Sequence, residues 1–215
     1  MIATNLDIET ELIGQGYSLV AGLDEVGRGA LAGPVAAGLV AFPPCVEFEL
    51  LSDITDSKKL SPKARESLVE IIKENATICE VGFTSVNEID AMGIVKATRL
   101  AMVRALDKST LSPDHLLIDA LELPESGLPY RAIIRGDQIS TSVAGASIIA
   151  KVARDSLMKQ LSRCEPGYLF EKNKGYGTRE HILALRDLGP TKLHRKSFAP
   201  ISEMLENGKT RFRSN

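Results

Sequence analysis

The chain has 215 residues, of which 44% are hydrophobic and 25% are charged, a composition typical of a folded globular domain. Its formal net charge of −2 differs from the strongly basic composition of many nucleic-acid-binding proteins. The charge is uneven, however, because the segment from Glu171 to the C-terminus has 10 lysines and arginines and only 5 aspartates and glutamates. Such a segment is suited to lying along a phosphate backbone, although a solvated surface is the more common explanation.

Cysteine content and the N-terminus indicate a cellular compartment. The three cysteines are scattered and form no CxxC pair, so neither a disulfide framework nor a zinc site is predicted, and a reducing compartment fits best. The N-terminus lacks a basic and then apolar leader, and no apolar run approaches the length of a membrane span. We therefore expect a cytoplasmic protein that has no membrane partner, and we expect it to be a monomer.

Strands and helices alternate along the predicted chain. Strands are predicted at Ser18–Asp24, Pro34–Phe42, Thr77–Thr84, His115–Asp119 and Arg131–Ile134. Helices are predicted from Pro62 to Asn75, from Val86 to Lys108 with a restart near Gly93, from Ser142 to Arg163, from Thr178 to Leu188 and from Pro200 to Asn207. This order predicts an α/β protein with one mixed five-stranded sheet flanked by helices.

A buried strand that ends in acidic residues is the most informative feature of the chain. An apolar run leads directly into Asp24 and Glu25, which the turn Gly27-Arg28-Gly29 follows closely. An unpaired charge leaves water only at a high free-energy cost, so a cation, usually a divalent metal ion, is expected beside these carboxylates. Glycine has no Cβ and lets the backbone come close to a bound molecule. Taken alone, the segment fits a metal site and a solvated turn about equally well.

Two further predicted strands end in the same way. Leu116-Leu117-Ile118 leads into Asp119, and Ile133-Ile134 leads into a turn that contains Asp137. If the three strands are parallel neighbours, their carboxyl ends share the edge at which open α/β sheets bind ligands. Clustered carboxylates repel one another unless a cation neutralises them. Three such strand ends therefore favour a cation site more strongly than any one of them does.

A carboxylate cluster of this kind suits phosphodiester hydrolysis. Hard oxygen ligands favour Mg²⁺ or Mn²⁺ over zinc, and two such ions roughly 4 Å apart can activate water and stabilise the leaving 3′ oxygen. Successive side chains of a strand point to opposite faces, so Asp24 and Glu25 cannot both face one metal pair within a regular strand. We therefore expect the chain to bend at Glu25, or Glu25 to contribute through its carbonyl.

Seven sequence blocks resemble the motifs of ribonuclease HII, the type 2 ribonuclease H, in the order in which that family carries them. The blocks are Gly22-Leu23-Asp24-Glu25-Val26-Gly27-Arg28-Gly29, Asp56-Ser57-Lys58-Lys59-Leu60-Ser61, Leu117-Ile118-Asp119, Gly136-Asp137, Ala146-Ser147-Ile148-Ile149-Ala150-Lys151-Val152-Ala153-Arg154-Asp155, Lys174-Gly175-Tyr176-Gly177-Thr178 and His194-Arg195-Lys196-Ser197-Phe198. The resemblance extends from about Leu19 to Phe198 and so covers nearly the whole chain.

The resemblance implies both a fold and an activity. It implies a ribonuclease H-like catalytic domain over residues 1–165 and a C-terminal helical extension over residues 166–215 that contacts substrate within the same compact unit. It implies an endonuclease, dependent on Mg²⁺ or Mn²⁺, that cleaves the RNA strand of RNA–DNA hybrids. It also implies incision on the 5′ side of single ribonucleotides embedded in duplex DNA, with 5′-phosphate products and a role in ribonucleotide excision repair.

Residue roles follow from the same resemblance. The metal-binding and catalytic carboxylates of the family correspond to Asp24, Glu25, Asp119 and Asp137. The turn that reads the 2′-hydroxyl through its backbone corresponds to Gly27, Arg28 and Gly29. The loop that contacts phosphate corresponds to Lys58 and Lys59. The tyrosine that packs on the deoxyribose after the ribonucleotide corresponds to Tyr176, and because glycines flank it, we expect it on an exposed, mobile backbone.

The chain departs from the family pattern at one motif. Asp119-Ala120-Leu121 replaces the frequent Asp-Gly-Asn, which leaves the carboxylate in place but puts the shape of the local turn in doubt. Ribonuclease HIII has the same acids but carries an additional N-terminal domain, for which the residues before the first motif leave no room. The C-terminal Arg211-Phe212-Arg213 shows no clear clamp-binding peptide, so no sliding-clamp partner is expected.

Two other function classes share part of this pattern. A different two-metal nuclease or an integrase-like phosphoryl transferase would carry the four acids without selecting for a 2′-hydroxyl, so an all-DNA duplex distinguishes it. A non-catalytic module that binds hybrids would be expected to lose at least one carboxylate, and all four are present. A metal-dependent cleavage assay separates these alternatives.

Overall fold

The structure, a computed structural model, describes residues 4–206 apart from the side chain of Lys59, and it is built around one five-stranded sheet. The strands are β1 (Val20–Val26), β2 (Val35–Ala41), β3 (Ile78–Thr84), β4 (His115–Asp119) and β5 (Tyr130–Ile133). Their order in the sheet is β3-β2-β1-β4-β5, with β1 antiparallel to β2 and parallel to β4, and with β4 parallel to β5. The predicted mixed five-stranded sheet is thus confirmed.

Helices occupy most of the connections between the strands. They are α1 (Asp7–Gly14), α2 (Pro62–Asn75), α3 (Val86–Met92), α4 (Ile94–Lys108), α5 (Thr141–Cys164), α6 (Phe170–Asn173), α7 (Arg179–Leu188) and α8 (Ile201–Glu206). Short 3₁₀ turns lie at Phe48–Leu51, Ser57–Lys59, Pro124–Ser126 and Gly136–Gln138.

Local sequence signals account for two helix starts. At α2, the Ser61 side chain accepts a hydrogen bond from the Ala64 N–H, and a proline occupies the first helical position, where no N–H is needed. At α3, Ser85 and Glu88 exchange the two hydrogen bonds of a capping box. Both starts agree with the prediction from the sequence.

The chain divides into two compact units. Within the described residues, the first unit comprises 4–26, 36–83 and 99–152, and the second comprises 27–35, 84–98 and 153–206. The first unit contains the sheet apart from its terminal residues Val35 and Thr84. The predicted extension belongs to the second unit as far as residue 206, and the domain boundary near residue 165 stays a prediction.

Each unit has its own hydrophobic core. In the first unit, buried residues of β2, the segment that follows it, α2 and α5 form one cluster: Val40, Phe42, Leu51, Ile54, Leu68, Val69, Ile72, Ala144, Ala146, Ile148 and Ile149. In the second unit, the cluster consists of Leu31, Ala32, Met158, Tyr168, Phe170, Leu185 and Ile201. Burial of this apolar area is the main free-energy gain that holds the helices in place.

Two glycines let the first turns of α5 lie directly on the sheet. A Cβ built on Gly22 of β1 would overlap the backbone of Ser142 and Val143, and one built on Gly38 of β2 would overlap the carbonyl of Ala146. The sheet and the helix therefore approach more closely than side chains would allow. This close approach sets the position of Ser147, one turn further along α5.

The sequence-based prediction misplaced the end of the first strand and missed the helices α1 and α6. The first strand continues through Glu25 to Val26 instead of ending at Asp24. Helix α1 was not predicted, because its N-terminal cap residue, Leu6, offers no side-chain cap. The helix is stabilised by tertiary packing, since Leu12 is buried against Val20, Leu117 and Val143.

Two predictions concern the membrane and the C-terminal tail. Within residues 4–206, no helix combines the length and the apolar character that a membrane crossing requires. The tail motif Arg211-Phe212-Arg213 lies outside the described residues.

The close approach of α5 to β1 can be tested with a glycine pair. Gly22→Ala is expected to lower the free energy of unfolding by about 1–3 kcal/mol, because the added methyl group must displace helix backbone. Gly14→Ala is the matched control, since a Cβ at Gly14 meets no atom within 4 Å. Urea unfolding of both variants measures the difference. Equal midpoints for the two variants would contradict the close-packing argument.

Candidate active site

The ladder between β1 and β4 ends just before the predicted acids. The parallel pairing of these strands stops at Leu23 and Ile118, whereas β1 continues to pair with β2 as far as Val26 and Ala36. Asp24 and Asp119 each follow the last residue of their strand that takes part in the β1–β4 ladder. The strands β1, β4 and β5 are parallel neighbours, which meets the condition set by the sequence analysis and brings the three carboxyl ends to one edge.

The Asp24 carboxylate is the most deeply desolvated of the acids on β1 and β4. The residue is only 5% exposed, and its Oδ1 accepts a hydrogen bond from the Glu25 N–H at 2.7 Å. Burial raises the pKa of Asp24 well above its ordinary value, and the negative charges of Glu25 and Asp119 raise it further. A hydrogen bond from the Ser147 hydroxyl opposes this rise. Asp24 is thus a carboxylate that a cation would stabilise.

Glu25 remains within the regular strand. It pairs with Ala37 of β2, one position after Asp24 pairs with Gly38, and it is only partly buried. The expected bend at Glu25 is therefore wrong, because the antiparallel ladder continues through it. A contribution through its carbonyl stays a prediction.

Asp119 and Asp137 are joined through the turn that follows β5. The Asp119 Oδ1 accepts a hydrogen bond from the Gly136 N–H at 2.8 Å, and Asp137 is the next residue along the chain. Burial raises the pKa of Asp119 and the Asp137 charge adds to the rise, although the Gly136 hydrogen bond opposes it. Replacing the usual Asp-Gly-Asn by Asp119-Ala120-Leu121 leaves Ala120 at a positive φ of 49°, the left-handed conformation that glycine adopts more readily.

The Lys58 side chain lies against Asp137, one of the four predicted carboxylates. The Lys58 Nζ is 3.2 Å from the Asp137 Oδ2, while the lysine side chain remains 78% exposed. Burial alone would lower the pKa of Lys58, but the Asp137 charge and hydrogen bond outweigh it and the pKa rises. Sequence reasoning placed Lys58 in a solvated or phosphate-contacting loop and missed this pair.

The backbone of the lysine loop is held in place from both sides. Asp56 accepts a hydrogen bond from the Lys58 N–H at 3.0 Å, and the Arg65 guanidinium donates to the carbonyls of Ser57 and Leu60, both at 2.7 Å. The Ser57 hydroxyl of the loop also lies 2.9 Å from the Ser147 hydroxyl of α5. These contacts explain why Lys58 is directed towards Asp137. The phosphate contacts of Lys58 and Lys59 stay predictions.

The donor chemistry of the carboxylates fits a hard divalent cation. All four predicted ligands offer oxygen, and the raised pKa values of Asp24 and Asp119 show negative charge that lacks full compensation. Within the described part of the chain, however, no three His, Cys, Asp or Glu side chains are arranged to hold a metal ion. The structure therefore places the acids as electrostatic neighbours but does not gather them into a finished coordination site.

In the second unit, a buried arginine holds the Gly27-Arg28-Gly29 turn. The Arg195 guanidinium, which is fully buried, donates to the carbonyls of Gly27 at 2.7 Å, Arg28 at 2.8 Å and Gly33 at 2.9 Å. Burial, together with the positive charge of Arg154, lowers the pKa of Arg195 to about 9. With its carbonyls fixed in this way, the turn has a defined backbone conformation.

A second buried arginine supports the same segment. Arg154 donates to the carbonyls of Pro34 at 2.8 Å, Lys174 at 2.9 Å and Ala32 at 3.1 Å. Gly27 has a positive φ of 92°, and a Cβ there would overlap the Arg154 side chain. Only glycine therefore fits the first position of the turn. Sequence reasoning gave no role to either arginine, although both lie within the quoted sequence blocks.

Tyr176 belongs to this second unit and is half-buried. The Arg154 guanidinium carbon lies 5.5 Å from the centre of its ring, a cation–π distance. The expected exposed, mobile backbone is wrong at Gly175, which is buried and whose carbonyl accepts hydrogen bonds from the N–H groups of Leu31 and Ala32. Gly175 therefore anchors the backbone on one side of Tyr176, whereas Gly177 on the other side is exposed.

The histidines of the second unit are structural. The Nε2 atoms of His181 and His194 are 3.1 Å apart, and both rings are buried against Tyr168 and Phe170. Burial, together with the neighbouring His181, lowers the pKa of His194 to about 3, so this ring is neutral at pH 7. His194 is thus part of the packed interior of the second unit.

Comparisons with known proteins agree on one family. A family model for ribonuclease HII matches residues 21–201. A ribonuclease HII from Desulfitobacterium hafniense is 50% identical over 198 residues, covering 92% of this chain and 75% of that protein. One from Chlamydia caviae is 47% identical over 198 residues, covering 92% of each chain.

Solved structures show the same fold. The ribonuclease H2 of Pyrococcus horikoshii has a TM-score of 0.74 at 24% identity, covering 90% of this chain and all of that one. The ribonuclease HII of Archaeoglobus fulgidus, solved as a complex with PCNA, has a TM-score of 0.69 at 28% identity, covering 84% of this chain and 95% of that one.

Burial of Asp24 predicts a gain in stability when its charge is removed. Asp24→Asn is expected to raise the melting temperature by roughly 2–4 °C in buffer with EDTA, because an amide leaves water more easily than a carboxylate and does not repel Glu25 or Asp119. Because the raised pKa applies to the folded state, the gain is expected at pH 7 and should shrink as the pH falls and Asp24 becomes protonated.

Thermal unfolding of both proteins at pH 7 and pH 4.5 measures this effect. Asp107→Asn, which changes an exposed aspartate of α4, is the control and should leave the melting temperature unchanged. A lower melting temperature for Asp24→Asn at pH 7 would contradict the electrostatic argument.

Proposed function

Since the chain belongs to the ribonuclease HII family, we propose that it incises duplex DNA on the 5′ side of a single embedded ribonucleotide, in addition to acting on RNA–DNA hybrids. Membership of the family makes the protein a ribonuclease H, a hydrolase of the endonuclease class. The observation that carries the finer proposal is the set of carboxylates at the ends of three parallel strands, where burial leaves the negative charge of Asp24 and Asp119 only partly compensated.

Divalent cations are part of this proposal. Asp24, Glu25, Asp119 and Asp137 would hold Mg²⁺ or Mn²⁺ through carboxylate oxygens, which are the donors that these ions prefer. When two such ions are bound, they supply an activated water and compensate the charge of the leaving 3′ oxygen.

The residues around the acids position them and limit their mutual repulsion. Ser147 fixes the Asp24 side chain by a hydrogen bond, and the Gly136 N–H fixes that of Asp119. The Lys58 ammonium lies 3.2 Å from Asp137. We propose that it can reorient towards an incoming phosphate while it stays close to the four carboxylates. A buried, preorganised set of charges of this kind does not need to reorganise during the reaction.

Selectivity for ribose is assigned to the second unit. The 2′-hydroxyl is what distinguishes RNA from DNA at one site. We assign its recognition to the backbone of Gly27, Arg28 and Gly29. The carbonyls of Gly27 and Arg28 are held by Arg195, and Gly29 is exposed with open space where a Cβ would be. If the recognised hydroxyl belongs to the nucleotide just 3′ of the scissile phosphate, the cut falls on the 5′ side of the ribonucleotide.

Partners other than nucleic acid stay predictions. The Archaeoglobus fulgidus relative was solved in complex with PCNA. For this chain we propose a monomer in the cytoplasm. We also propose that it has no clamp partner, because the sequence shows no clear clamp-binding peptide.

Cleavage of three matched duplexes tests the proposal. We expect Mg²⁺- or Mn²⁺-dependent incision of a hybrid and of a DNA duplex with one ribonucleotide, and no incision of the all-DNA duplex. Asp119→Asn is expected to lower the rate by about 10³-fold or more while remaining folded, because its amide oxygen can still accept the Gly136 hydrogen bond. Asp107→Asn serves as the control and should keep the native rate.

Each alternative gives a different pattern of products. Efficient cleavage of all-DNA duplex would indicate a nuclease without 2′-hydroxyl selectivity. Binding of hybrid without cleavage, in both metals, would indicate a non-catalytic module. Incision on the 3′ side of the ribonucleotide would contradict the assigned position of the 2′-hydroxyl.

Tyr176 is predicted to act at the junction between ribonucleotide and DNA. Tyr176→Ala is expected to slow incision of the single-ribonucleotide duplex by about 5- to 150-fold, the equivalent of roughly 1–3 kcal/mol for one stacking surface. Tyr176→Phe should keep most of the rate, since it retains the ring that lies beside Arg154. Single-turnover rates measure both variants, and equal losses for Ala and Phe would contradict a stacking role.

A further inference from the structure

A chain of hydrogen bonds runs through the second unit from Thr191 to Tyr176. The Thr191 N–H donates to the His194 Nδ1 at 2.9 Å, and the His194 Nε2 lies 3.1 Å from the His181 Nε2. The His181 Nδ1 lies 2.9 Å from the Tyr176 carbonyl oxygen. Both rings are fully buried. Burial among aromatic rings accounts for the packing of the pair, but it does not require a continuous polar chain that ends on Tyr176.

The two ends of the chain determine where each proton lies. Because the Thr191 N–H can only donate, the His194 Nδ1 is an acceptor, and a neutral ring then carries its proton on Nε2. Because the Tyr176 carbonyl can only accept, the His181 Nδ1 carries the proton of that ring and its Nε2 is an acceptor. The His194 Nε2–H therefore donates to the His181 Nε2, and every bond of the chain points from Thr191 towards Tyr176.

Only the neutral pair is compatible with this chain. A second proton on His181 would turn its Nε2–H towards that of His194, and a second proton on His194 would face the Thr191 N–H. Burial lowers the pKa of both histidines, so the neutral forms prevail at pH 7. Neither ring can exchange its donor and its acceptor without breaking bonds at both of its nitrogens. Each ring is thus held in a single tautomer.

The chain ends on a residue whose backbone is held on both sides. The Tyr176 carbonyl also accepts a hydrogen bond from the Thr178 N–H at 2.8 Å, and the Tyr176 N–H donates to the Asn173 carbonyl at 2.9 Å. The Arg154 guanidinium carbon lies 5.5 Å from the centre of the tyrosine ring. The bond from His181 therefore helps to fix the direction in which the backbone presents this ring.

We propose that His181 and His194 are positioning residues, which hold Tyr176 in the orientation that packs on the sugar after the ribonucleotide. This inference rests on the proposed role of Tyr176 at the junction. His181 acts through the Tyr176 carbonyl, and His194 acts one bond further back by keeping His181 in the tautomer that donates from Nδ1. A ring that is already in place does not have to be ordered when the duplex binds.

Nitrogen NMR of the histidine rings tests the direction of the chain without a cleavage assay. The sequence has three histidines, so only the ring signal of His115 lies outside the pair. At pH 7 we expect His194 to be protonated on Nε2 and His181 on Nδ1, with a scalar coupling between the two Nε2 nuclei. A proton on the His181 Nε2 would overturn the proposal.

A double-mutant cycle tests whether His181 acts through Tyr176. His181→Leu removes the donor to the Tyr176 carbonyl and is expected to slow single-turnover incision of the single-ribonucleotide duplex about three- to tenfold. In a Tyr176→Ala background the same change should have no further effect, because the ring that it positions is absent. Equal losses in the two backgrounds would overturn the positioning role, since a general structural defect adds to the loss from Tyr176→Ala.

Two further variants separate the lost hydrogen bond from a disturbed core. His181→Asn can donate from its amide to the Tyr176 carbonyl and should keep most of the rate. Tyr168→Phe is the matched control, because it removes a buried hydrogen bond to the Gly189 carbonyl from the same core. This control should lower the melting temperature and keep the native rate. A loss of rate as large as that of His181→Leu would contradict the proposal.

Ring signals of Tyr176 distinguish failure of this inference from failure of the proposed function. His181→Leu should shift these signals in NMR spectra of the free protein, and His181→Asn should not. If the shifts appear but Tyr176→Ala incises at the native rate, the positioning stands and the substrate role of Tyr176 is wrong. Unchanged ring signals in His181→Leu would overturn the positioning at any rate of incision.

A second variant decides if His181→Leu is unfolded by circular dichroism. In His194→Asn the amide oxygen can accept the Thr191 N–H, while the shorter side chain releases His181. We then expect a mixture of His181 tautomers and shifted Tyr176 ring signals. A single His181 tautomer together with unchanged Tyr176 signals would overturn the proposal.

Discussion

The desolvated carboxylate of Asp24 is the constraint on which the candidate active site depends. It lies where β1 and β4 cease to pair, and there the protein must hold a charge that water no longer stabilises. The adjacent acids increase the cost, because Glu25 and Asp119 both raise its pKa. The Glu25 N–H and Ser147 donate hydrogen bonds to Asp24 and the charge of Lys58 also acts on it, yet its pKa remains well above the ordinary value. The fold therefore retains an electrostatic strain at one edge of its sheet.

The helix that supplies one of these hydrogen bonds is positioned by packing. Glycines on β1 and β2 allow the backbone of α5 to lie directly on the sheet, and Ser147 follows one turn later. A larger residue at Gly22 or Gly38 would lift the helix and with it the hydroxyl that supports Asp24. The close approach of α5 to the sheet thus contributes both to the packing of the core and to the support of Asp24 by Ser147. A substitution that disturbs this packing is therefore expected to affect both the stability of the fold and the candidate active site.

The second unit contains buried positive charge. Arg154 and Arg195 are both fully buried, and their hydrogen-bond partners are mostly peptide carbonyls instead of carboxylates. A guanidinium that lacks an ionic partner must be satisfied by several oxygens at once, and residues 27–35 supply most of them. The segment that follows β1 is consequently fixed by hydrogen bonds to side chains distant in sequence. This explains how an irregular loop keeps one backbone conformation.

The sequence predicted the pattern of the sheet more fully than the contacts of the site. Apolar runs that lead into Asp24 and Asp119 indicated strands, whereas the parallel pairing of these strands was only a condition of the argument and follows from the structure. The Lys58–Asp137 pair could not be inferred, since 79 residues separate the partners and two lysines in a polar loop carry no directional signal. Likewise, the capping signals of α2 are local, whereas α1 depends on packing against residues from three other elements. Signals between neighbouring residues, such as helix caps, can be recognised in the sequence. Contacts between residues that are distant in the sequence become known only from the folded structure.

The incomplete compensation of the acids has a consequence for both stability and ligand binding. A group whose charged form is disfavoured by burial destabilises the folded protein at neutral pH, and any cation that binds the folded state recovers that free energy. Lys58 already provides part of this effect at Asp137, where its ammonium is 3.2 Å away. The charge of Lys58 also acts on Asp24, but burial still leaves the pKa of Asp24 well above its ordinary value, so an added positive charge is favourable there. The same burial that weakens the fold at Asp24 therefore strengthens its attraction for a divalent ion.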